Sequence, residues 1–459
     1  MSTKKSSEIW SIALNIKEVI ENGYCIGCGV CRAVDQTINI NLNSFGEYVA
    51  ELNDSSLNKI ADASEVCPFA DNQNETELAE EIFFAQSQHE SIGRYLGLFA
   101  GYSINDRSLG SSGGIITFII NELFDYKKID YAILVRPHVA NNIRNIDFSF
   151  DVISSKLDVS SGSTSFYYPV TYSKVLEFIA KNPGSYAITG IPCFHKAIRL
   201  LKRQNPLYRD RIKYQLGLVC GQLKSAFYFE YLLRRAEVPI GKVESACFRR
   251  KDTNNRADEY FFEAITKDTN EKQHIYRVSN RKIGLNWGMG LFKPKACDYC
   301  DDVFAETADI AVMDGWLPQY INDGRGTSLM VVRDKYLYDM MINGQENGQL
   351  HLHEIAIDEI VKSQQGGLNH RRKGLAYRLH LSMGSVVPSK RMRPSSTFPL
   401  LFKLEQILRL ILRKTSRQAI ALQTKVGSGL FIFNLIMVPL FFTYRVFQKL
   451  QRIVKAISP

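Results

Sequence analysis

The chain lacks an apolar core at its start: "MSTKKSSEIW" is no secretory signal, so a reducing compartment is expected. In that setting its nine cysteines are more often metal ligands or catalytic groups than disulfides. Acids are almost missing from the C-terminal tail. Arg371 to Pro459 holds 17 Lys/Arg against one acid, Glu405, whereas the other 370 residues carry 40 bases and 46 acids. The overall charge of +10 therefore belongs to the tail and not to the body. Internal repeats are also absent, apart from two degenerate halves of one short module.

That module is defined by what it has lost. "CIGCGVCRAVDQ" (25–36) follows the C-x2-C-x2-C-x3-C-P run of a bacterial ferredoxin through Cys25, Cys28 and Cys31. At the fourth place stands Asp35, and Gln36 replaces the proline. "LNKIADASEVCP" supplies the complement: Cys67 precedes Pro68, while Ala63, Ile60 and Leu57 occupy the places of three other ligands. In two-cluster ferredoxins the last cysteine of each run serves the other cluster. The remnant reads as a single 4Fe-4S site on Cys25, Cys28, Cys31 and Cys67. Gly27 and Gly29 let the loop wrap a cluster with N–H groups aimed at sulfur. Between the runs "INLNSFGEYVAEL" alternates as a short hairpin. A zinc knuckle is the competing use of these thiols.

A chain of 459 residues should hold two or three domains. "YAITGIPC" and "IKYQLGLVCG" are apolar, β-branched runs that end at Cys193 and Cys220, each followed by a helical stretch. The alternation predicts neighbouring parallel strands with both cysteines at their carboxyl ends, where such sheets place ligands. "KACDYCDD" adds Cys297 and Cys300 at C-x2-C spacing. These four make a second four-thiolate set, or else buried cysteines beside a zinc or redox pair. Cys247 is left over as a core residue.

The ordered motifs "CIGCGVC…CP", "GYSINDRSLGSSGGIITFII", "TGIPC", "LGLVCG" and "CDYCDDVFAETADIAVMDGW" resemble one family. It comprises the beta subunits of coenzyme F-420-reducing hydrogenase and F-420-linked dehydrogenases. Relatives include 7-hydroxymethyl chlorophyll a reductase and proteins of bacterial polysaccharide gene clusters. The resemblance runs from about Cys25 to Arg333. It implies a second 4Fe-4S cluster on Cys193, Cys220, Cys297 and Cys300. It also implies a flavin, usually FAD, between the clusters, and a hydride-carrying substrate, with coenzyme F-420 one such carrier. In "DRSLGSSGG" the turn opens an apolar helix whose free N–H groups suit a phosphate. Arg107, Ser111, Ser112, Gly113 and Gly114 are its expected lining. Two departures stand out: "GSTS" (162–165) replaces the family's G-S-K-Y, and Phe194 replaces a glutamine. They leave the electron partner open.

Other polar groups read more plainly. His195 beside Cys193 could relay protons, although a packed histidine is simpler. "FRRK" (248–251) is basic, with surface solvation the simplest account. Asp302, Glu306, Asp309 and Asp314 are expected to set loop geometry.

After Arg371 a basic, Pro/Gly/Ser-rich linker leads to "LLFKLEQILRLILRKTSRQ". This reads as an amphipathic helix with Leu401, Leu404, Leu408 and Ile411 on one stripe. Val426 to Tyr444 is nineteen residues without a charge, enough to reach across a hydrocarbon core or lie on its surface. A helical pair docked on the body is the alternative.

The expected architecture is α/β. Residues 1–90 form an α+β ferredoxin-like module, 91–370 a mainly parallel flavin-binding domain, and 371–459 a helical tail on an anionic membrane surface. The expected function is an iron–sulfur flavoprotein oxidoreductase of the cytoplasm, at the inner face of the membrane. It would take electrons from a ferredoxin or a reduced coenzyme, act on a small molecule and bind no nucleic acid. The alternative is a non-enzymatic electron-transfer subunit for a membrane or polysaccharide-biosynthesis partner.

Overall fold

A computed structural model describes residues 14–457, except 71, 84–85, 141–145, 240, 242, 269, 284–286 and 428. The polar opening decapeptide lies outside these residues.

The N-terminal segment begins with a helix, Ile16–Glu21, held by a capping box: Glu18 N donates to Asn15 and the Glu18 carboxylate accepts from Asn15 N. The cysteine run follows, and then a hairpin. Strands β1 (Asn39–Leu42) and β2 (Tyr48–Glu51) pair antiparallel, with Ile40 opposite Ala50. The Asn43 side chain accepts from Phe45 and Glu47 N–H groups, and Gly46 at φ 67° turns the chain. A helix, Ile60–Glu65, then delivers Cys67 back to the first loop. The expected hairpin is present.

Two short strands, β3 (Ser87–His89) and β4 (Gly93–Tyr95), lead into the body. Its main sheet uses β5 (Gly97–Ser103), β6 (Tyr131–Val139), β7 (Ile146–Ile153), β8 (Tyr186–Gly190) and β9 (Ile212–Leu218). A separate antiparallel sheet follows from β10 (Val243–Lys251), β11 (Tyr260–Lys267) and β12 (Gln273–Ser279). The main sheet is completed by β13 (Ile310–Asp314), β14 (Ser328–Val332) and β15 (Leu350–Glu354), in the order β15-β5-β14-β13-β9-β8-β6-β7. The neighbours β6, β8, β9 and β13 are parallel, and the flanking strands pair antiparallel. The α/β class holds, and the sheet is mixed with a parallel centre. Alternate residues of β14 enter opposite cores, Leu329 and Val331 on one face, Met330 and Val332 on the other. Both faces are covered, as β-branched runs without polar alternation require.

Helices close the layers: α1 (Ile115–Asp125), α2 (Pro192–Gln204) and α3 (Ala226–Arg235). The tail departs from the expected linker. Its first part is helical, Gln365–Arg371 and then α4 (Lys373–Leu381), with Arg371, Arg378, Leu375 and Leu379 buried. The long helices α5 (Leu400–Val426) and α6 (Phe431–Ile457) form a hairpin on the body. The uncharged run Val426 to Tyr444 is thus split between the end of α5, the turn and α6. By length and composition, Phe431–Val454 is the helix apolar enough to cross a membrane. Docking rests on a buried apolar face, Leu412, Ile420, Phe433 and Met437 among it, and on charge. Arg413 reaches Asp298 (2.6 Å), Arg417 reaches Glu47 (2.5 Å), and Arg391 reaches Glu306 (2.7 Å). Part of the tail's excess is therefore neutralised by the body's acids. The expected stripe divides: Leu404 and Ile411 are exposed and Leu408 packs against the core, while the fully buried positions are Leu412, Ala419 and Ile420, which lie outside that stripe.

Candidate functional site

All eight singled-out cysteines converge, four on each of two neighbouring hollows. Cys25, Cys28, Cys31 and Cys67 line the first, which with its open mouth holds about 370 Å³ of atom-free space. Cys193, Cys220, Cys297 and Cys300 line the second, about 260 Å³. Ile26 and Phe69 belong to both linings, so one apolar wall separates them. Among the described residues, no group of three or more His, Cys, Asp or Glu is disposed to hold a single metal ion. The thiols ring a hollow instead of closing on a point.

The first hollow is made by loop geometry that only glycine permits. Gly27 lies at φ 64°, and a Cβ there would come within 2.3 Å of Tyr48 Cβ. Gly29 lies at φ 80°, and a Cβ would meet Thr171 Oγ1 at 2.2 Å. Backbone N–H groups point at sulfur: Gly27 N donates to Cys25 Sγ at 3.4 Å and Ala50 N at 3.3 Å. Burial pushes the Cys67 thiol up to about 11, against N–H donation from Phe69 and Ala70. Cys31 rises through burial and then through Cys28, Cys25 and Cys67 around it. Thiolates so placed need positive charge between them.

The second hollow follows from sheet topology. β8 ends at Gly190 and α2 begins with Pro192, so Cys193 stands in the helix's first turn. Cys220 lies two residues beyond β9, the parallel neighbour of β8. A turn of 3-10 helix, Lys295–Tyr299, brings in Cys297, and Leu223 N donates to its sulfur at 3.4 Å. Burial pushes Cys297 up to about 12, with Cys220 adding to it. Cys193 rises through burial, then through the other three thiols and also Cys28 of the first set.

Arg371 completes this hollow, and nothing in the sequence marked it. It stood at the head of a basic tail; here it is 2% exposed. Its Nη1 donates to Cys300 Sγ at 2.9 Å and also to Asp302 O, and Nη2 donates to Gly221 O at 2.9 Å. Its Nε is buried with no hydrogen-bond partner among the described residues. Burial opposes its charge, but the sulfurs of Cys300, Cys220, Cys297 and Cys193 hold the guanidinium protonated.

Around the C-x2-C loop lies a buried ionic network. Glu75 pairs with Lys196 (3.6 Å), Asp301 with Arg391 (3.4 Å) and Glu306 with Arg391 and Arg372 (2.7 and 3.4 Å). Burial, then Glu306 and Glu75, push the Asp302 carboxyl up to about 7. Arg333 lies behind the loop and donates to carbonyls of Ala305, Ala308, Ile92 and Phe304 at 3.0–3.2 Å. These acids fix loop geometry, as expected of Asp302 and Glu306. Asp309 pairs with Arg199 (2.5 Å), and Asp314 pairs bidentately with Arg249.

Tyr172 joins the two halves: its N donates to Cys28 O (2.8 Å) and its hydroxyl to Thr189 O (2.6 Å). His195 is fully buried. The Gln215 amide turns its nitrogen to Nδ1 (3.2 Å), and Nε2–H donates to Leu216 O (3.1 Å). Burial lowers its pKa to about 4, so it is a packed neutral imidazole and not a relay. "FRRK" is not a solvated surface. Arg249 is buried, and Lys251 Nζ donates to Arg107 O, Ser112 O and Arg325 O, each at 2.6 Å. Cys247 is half-buried beside Thr164.

The Gly-Ser turn sits at the start of α1. Gly114 adopts φ 78°, and the helix has no side-chain cap, which leaves first-turn N–H groups for a ligand. The polar side chains are engaged within the protein. Arg107 donates to Gly326 O (2.7 Å) and Asp323 (2.9 Å). Ser165 N donates to Ser111 (2.8 Å), Ser112 donates to Thr327 O (2.8 Å), and Gly113 N donates to Ser328 (2.9 Å). The turn fits a phosphate through its N–H groups and not through these side chains. Its "GSTS" neighbour touches it through Thr164, 3.1 Å from Ser111.

Comparison with known families bears on the chemistry of the chain. The model of the coenzyme F-420 hydrogenase/dehydrogenase beta subunit N-terminus matches residues 98–177, and that of the C-terminus matches 184–358. The chain belongs to this family. Its chemistry is accordingly oxidoreduction with electron transfer. One of the subunits of the F(420)H(2) dehydrogenase of Methanosarcina mazei is 24% identical over 338 residues, covering 70% of this chain and 85% of the relative. A solved F420-reducing [NiFe] hydrogenase complex from Methanosarcina barkeri contains a chain 16% identical, with TM-score 0.49, over 66% of this chain and 98% of that one. Both family matches end before Arg371 and the tail cations that brace the second hollow. In this member the tail completes the site.

Proposed function

We propose that the chain is an iron–sulfur flavoprotein oxidoreductase with two 4Fe-4S clusters, one in each cysteine-lined hollow. The observation that carries this reading is the convergence of eight cysteines on two hollows with a shared apolar wall. The donor set fits: four thiols each, backbone N–H groups on sulfur, and glycines where a Cβ would fill the loop. Zinc fits less well, because its four thiolates must close on one ion at about 2.3 Å each. When bound, the clusters supply one-electron steps and a flavin the exchange with two-electron chemistry. Ile26 and Phe69 keep water from the path between the hollows. Arg371 offsets thiolate charge on the inner one.

In this reading residues 1–90 form the ferredoxin-like module and 91–370 the flavin-binding body. The flavin phosphate would lie at the uncapped start of α1, near Arg107, Ser111, Ser112, Gly113 and Gly114. The cluster on Cys25, Cys28, Cys31 and Cys67 would face a donor: a ferredoxin, a reduced coenzyme or a partner subunit of the kind that the relatives' names imply. The two-electron side serves a small hydride-carrying molecule.

The test is iron and acid-labile sulfide per chain after purification without oxygen. About eight of each are expected, falling to about four in Cys67→Ser and in Cys300→Ser separately. Zinc without iron in such a preparation would overturn the redox reading. Eight irons without bound flavin would favour a pure electron relay.

A further inference from the structure

The hairpin of α5 and α6 turns two unlike faces outward and inward. Inward, Phe433, Met437 and Tyr444 are buried, and Phe433 stacks on Phe292 and packs on Tyr231. Outward, Phe431 (76% exposed), Leu435 (67%), Val438 and Phe442 (68%) follow one another at three- and four-residue spacing along α6. Leu404 and Ile411 are exposed on α5 as well. Monomer surfaces seldom leave so large an apolar stripe bare without a partner.

The charges sort in the same way. Arg413 and Arg417 point inward and are consumed by Asp298 and Glu47. Lys414, Lys425, Arg445, Lys449 and Arg452 are exposed and take part in no ion pair among the described residues. The hairpin's single acid, Glu405, is occupied by Arg409 (4.0 Å) and Gln451 (3.2 Å). An apolar stripe rimmed by cations alone matches an anionic lipid surface. A protein partner would have to match that same one-signed rim. A spanning helix would have to strip Phe433, Met437 and Tyr444 from the body core, and α5 carries charge along its whole length.

We propose that the α5–α6 hairpin lies in the plane of an anionic membrane, its outer apolar stripe in the acyl boundary and its cations at the headgroups. Docking then holds the cysteine-lined hollows at the membrane surface, since the same hairpin is tied to Asp298 in the C-x2-C loop and to Glu47 in the β1–β2 turn. The inference is independent of which metal the thiols hold.

The full chain, purified without oxygen, is floated with phosphatidylcholine vesicles and with vesicles containing phosphatidylglycerol. Flotation is expected with the anionic vesicles, about tenfold or more stronger than with the neutral ones, and weakened by salt. Arg445→Glu should weaken it about fivefold or more. Phe442→Asp should abolish it. Both positions are exposed, so iron content and melting temperature, read on the same samples, should stay as in the parent chain. Equal binding of Phe442→Asp and the parent would overturn the proposal, as would absence of flotation. Retention of the chain in cell membranes through alkaline carbonate washing would show a spanning helix and overturn the in-plane geometry.

Discussion

Replacing Arg371 by glutamine tests the reading of the second hollow more sharply than removing a cysteine does. The guanidinium donates to Cys300 Sγ at 2.9 Å, also bonds the Cys220 thiol, and reaches two backbone carbonyls, those of Asp302 and Gly221. Its charge therefore acts mainly on the thiolate set. A unit charge about 5 Å from a cluster, at an effective dielectric near 20, is worth about 3 kcal/mol. Per electron this corresponds to about 140 mV, since a tenfold change is about 59 mV. Losing a positive charge disfavours reduction, so the potential should fall by that order. The assay is an anaerobic redox titration followed by electron paramagnetic resonance. The cluster proposed on Cys25, Cys28, Cys31 and Cys67 would serve as internal reference, separated by the wall of Ile26 and Phe69. Arg371→Lys keeps the charge and should recover most of the shift. Equal movement of both potentials, or no movement in a glutamine variant that keeps its full iron, would refute the reasoning.

The other expectations concern folding and site assembly. Arg333→Met leaves five carbonyls, those of Phe304, Ala305 and Ala308 in the loop and of Ile92 and Arg94, without this donor, and the denaturation midpoint should drop by the equivalent of about 3–5 kcal/mol. A midpoint within experimental error of the parent would refute its role as the staple of the loop. Gly27→Ala drives a Cβ to 2.3 Å from Tyr48 Cβ, so iron should fall toward half while the second site keeps its own. Full iron in that variant would show that the loop tolerates a side chain. His370 is held neutral by burial and by Arg378, Arg409, Lys293 and Arg371 around it, its pKa well below 6.5. The unfolded chain takes up a proton as pH falls through about 6.5 while the folded one does not. Stability should then be full above that pH and be lost below it, by up to about 1.4 kcal/mol per unit. His370→Gln should remove that slope from the acid limb of a pH–stability profile.

What the sequence determined by itself was the chemistry and its local framing. Cysteine spacing and two glycines prescribe a loop around a sulfur-bound centre, because positive φ and close approach leave no other residue for those places. Apolar strand runs that end at Cys193 and Cys220 prescribe two thiols side by side, because parallel neighbours end on one edge. Tertiary structure decided what spacing cannot encode. That Arg371, Lys390 and Arg391 belong to the body and not to a solvated tail depends on groups far away in the chain: the sulfur of Cys300 for Arg371, and the buried carboxylates of Asp301 and Glu306 for Lys390 and Arg391. That Arg249 of "FRRK" is interior, while Arg250 stays exposed, follows from Asp314 on another sheet. That the uncharged run near the C-terminus is divided by a turn, with half of one helix face in the core, follows from Phe292 and Tyr231 offering it a surface. A local pattern records which groups can bind metal or avoid water; which partner each one meets is settled when distant segments compete to bury the same charge.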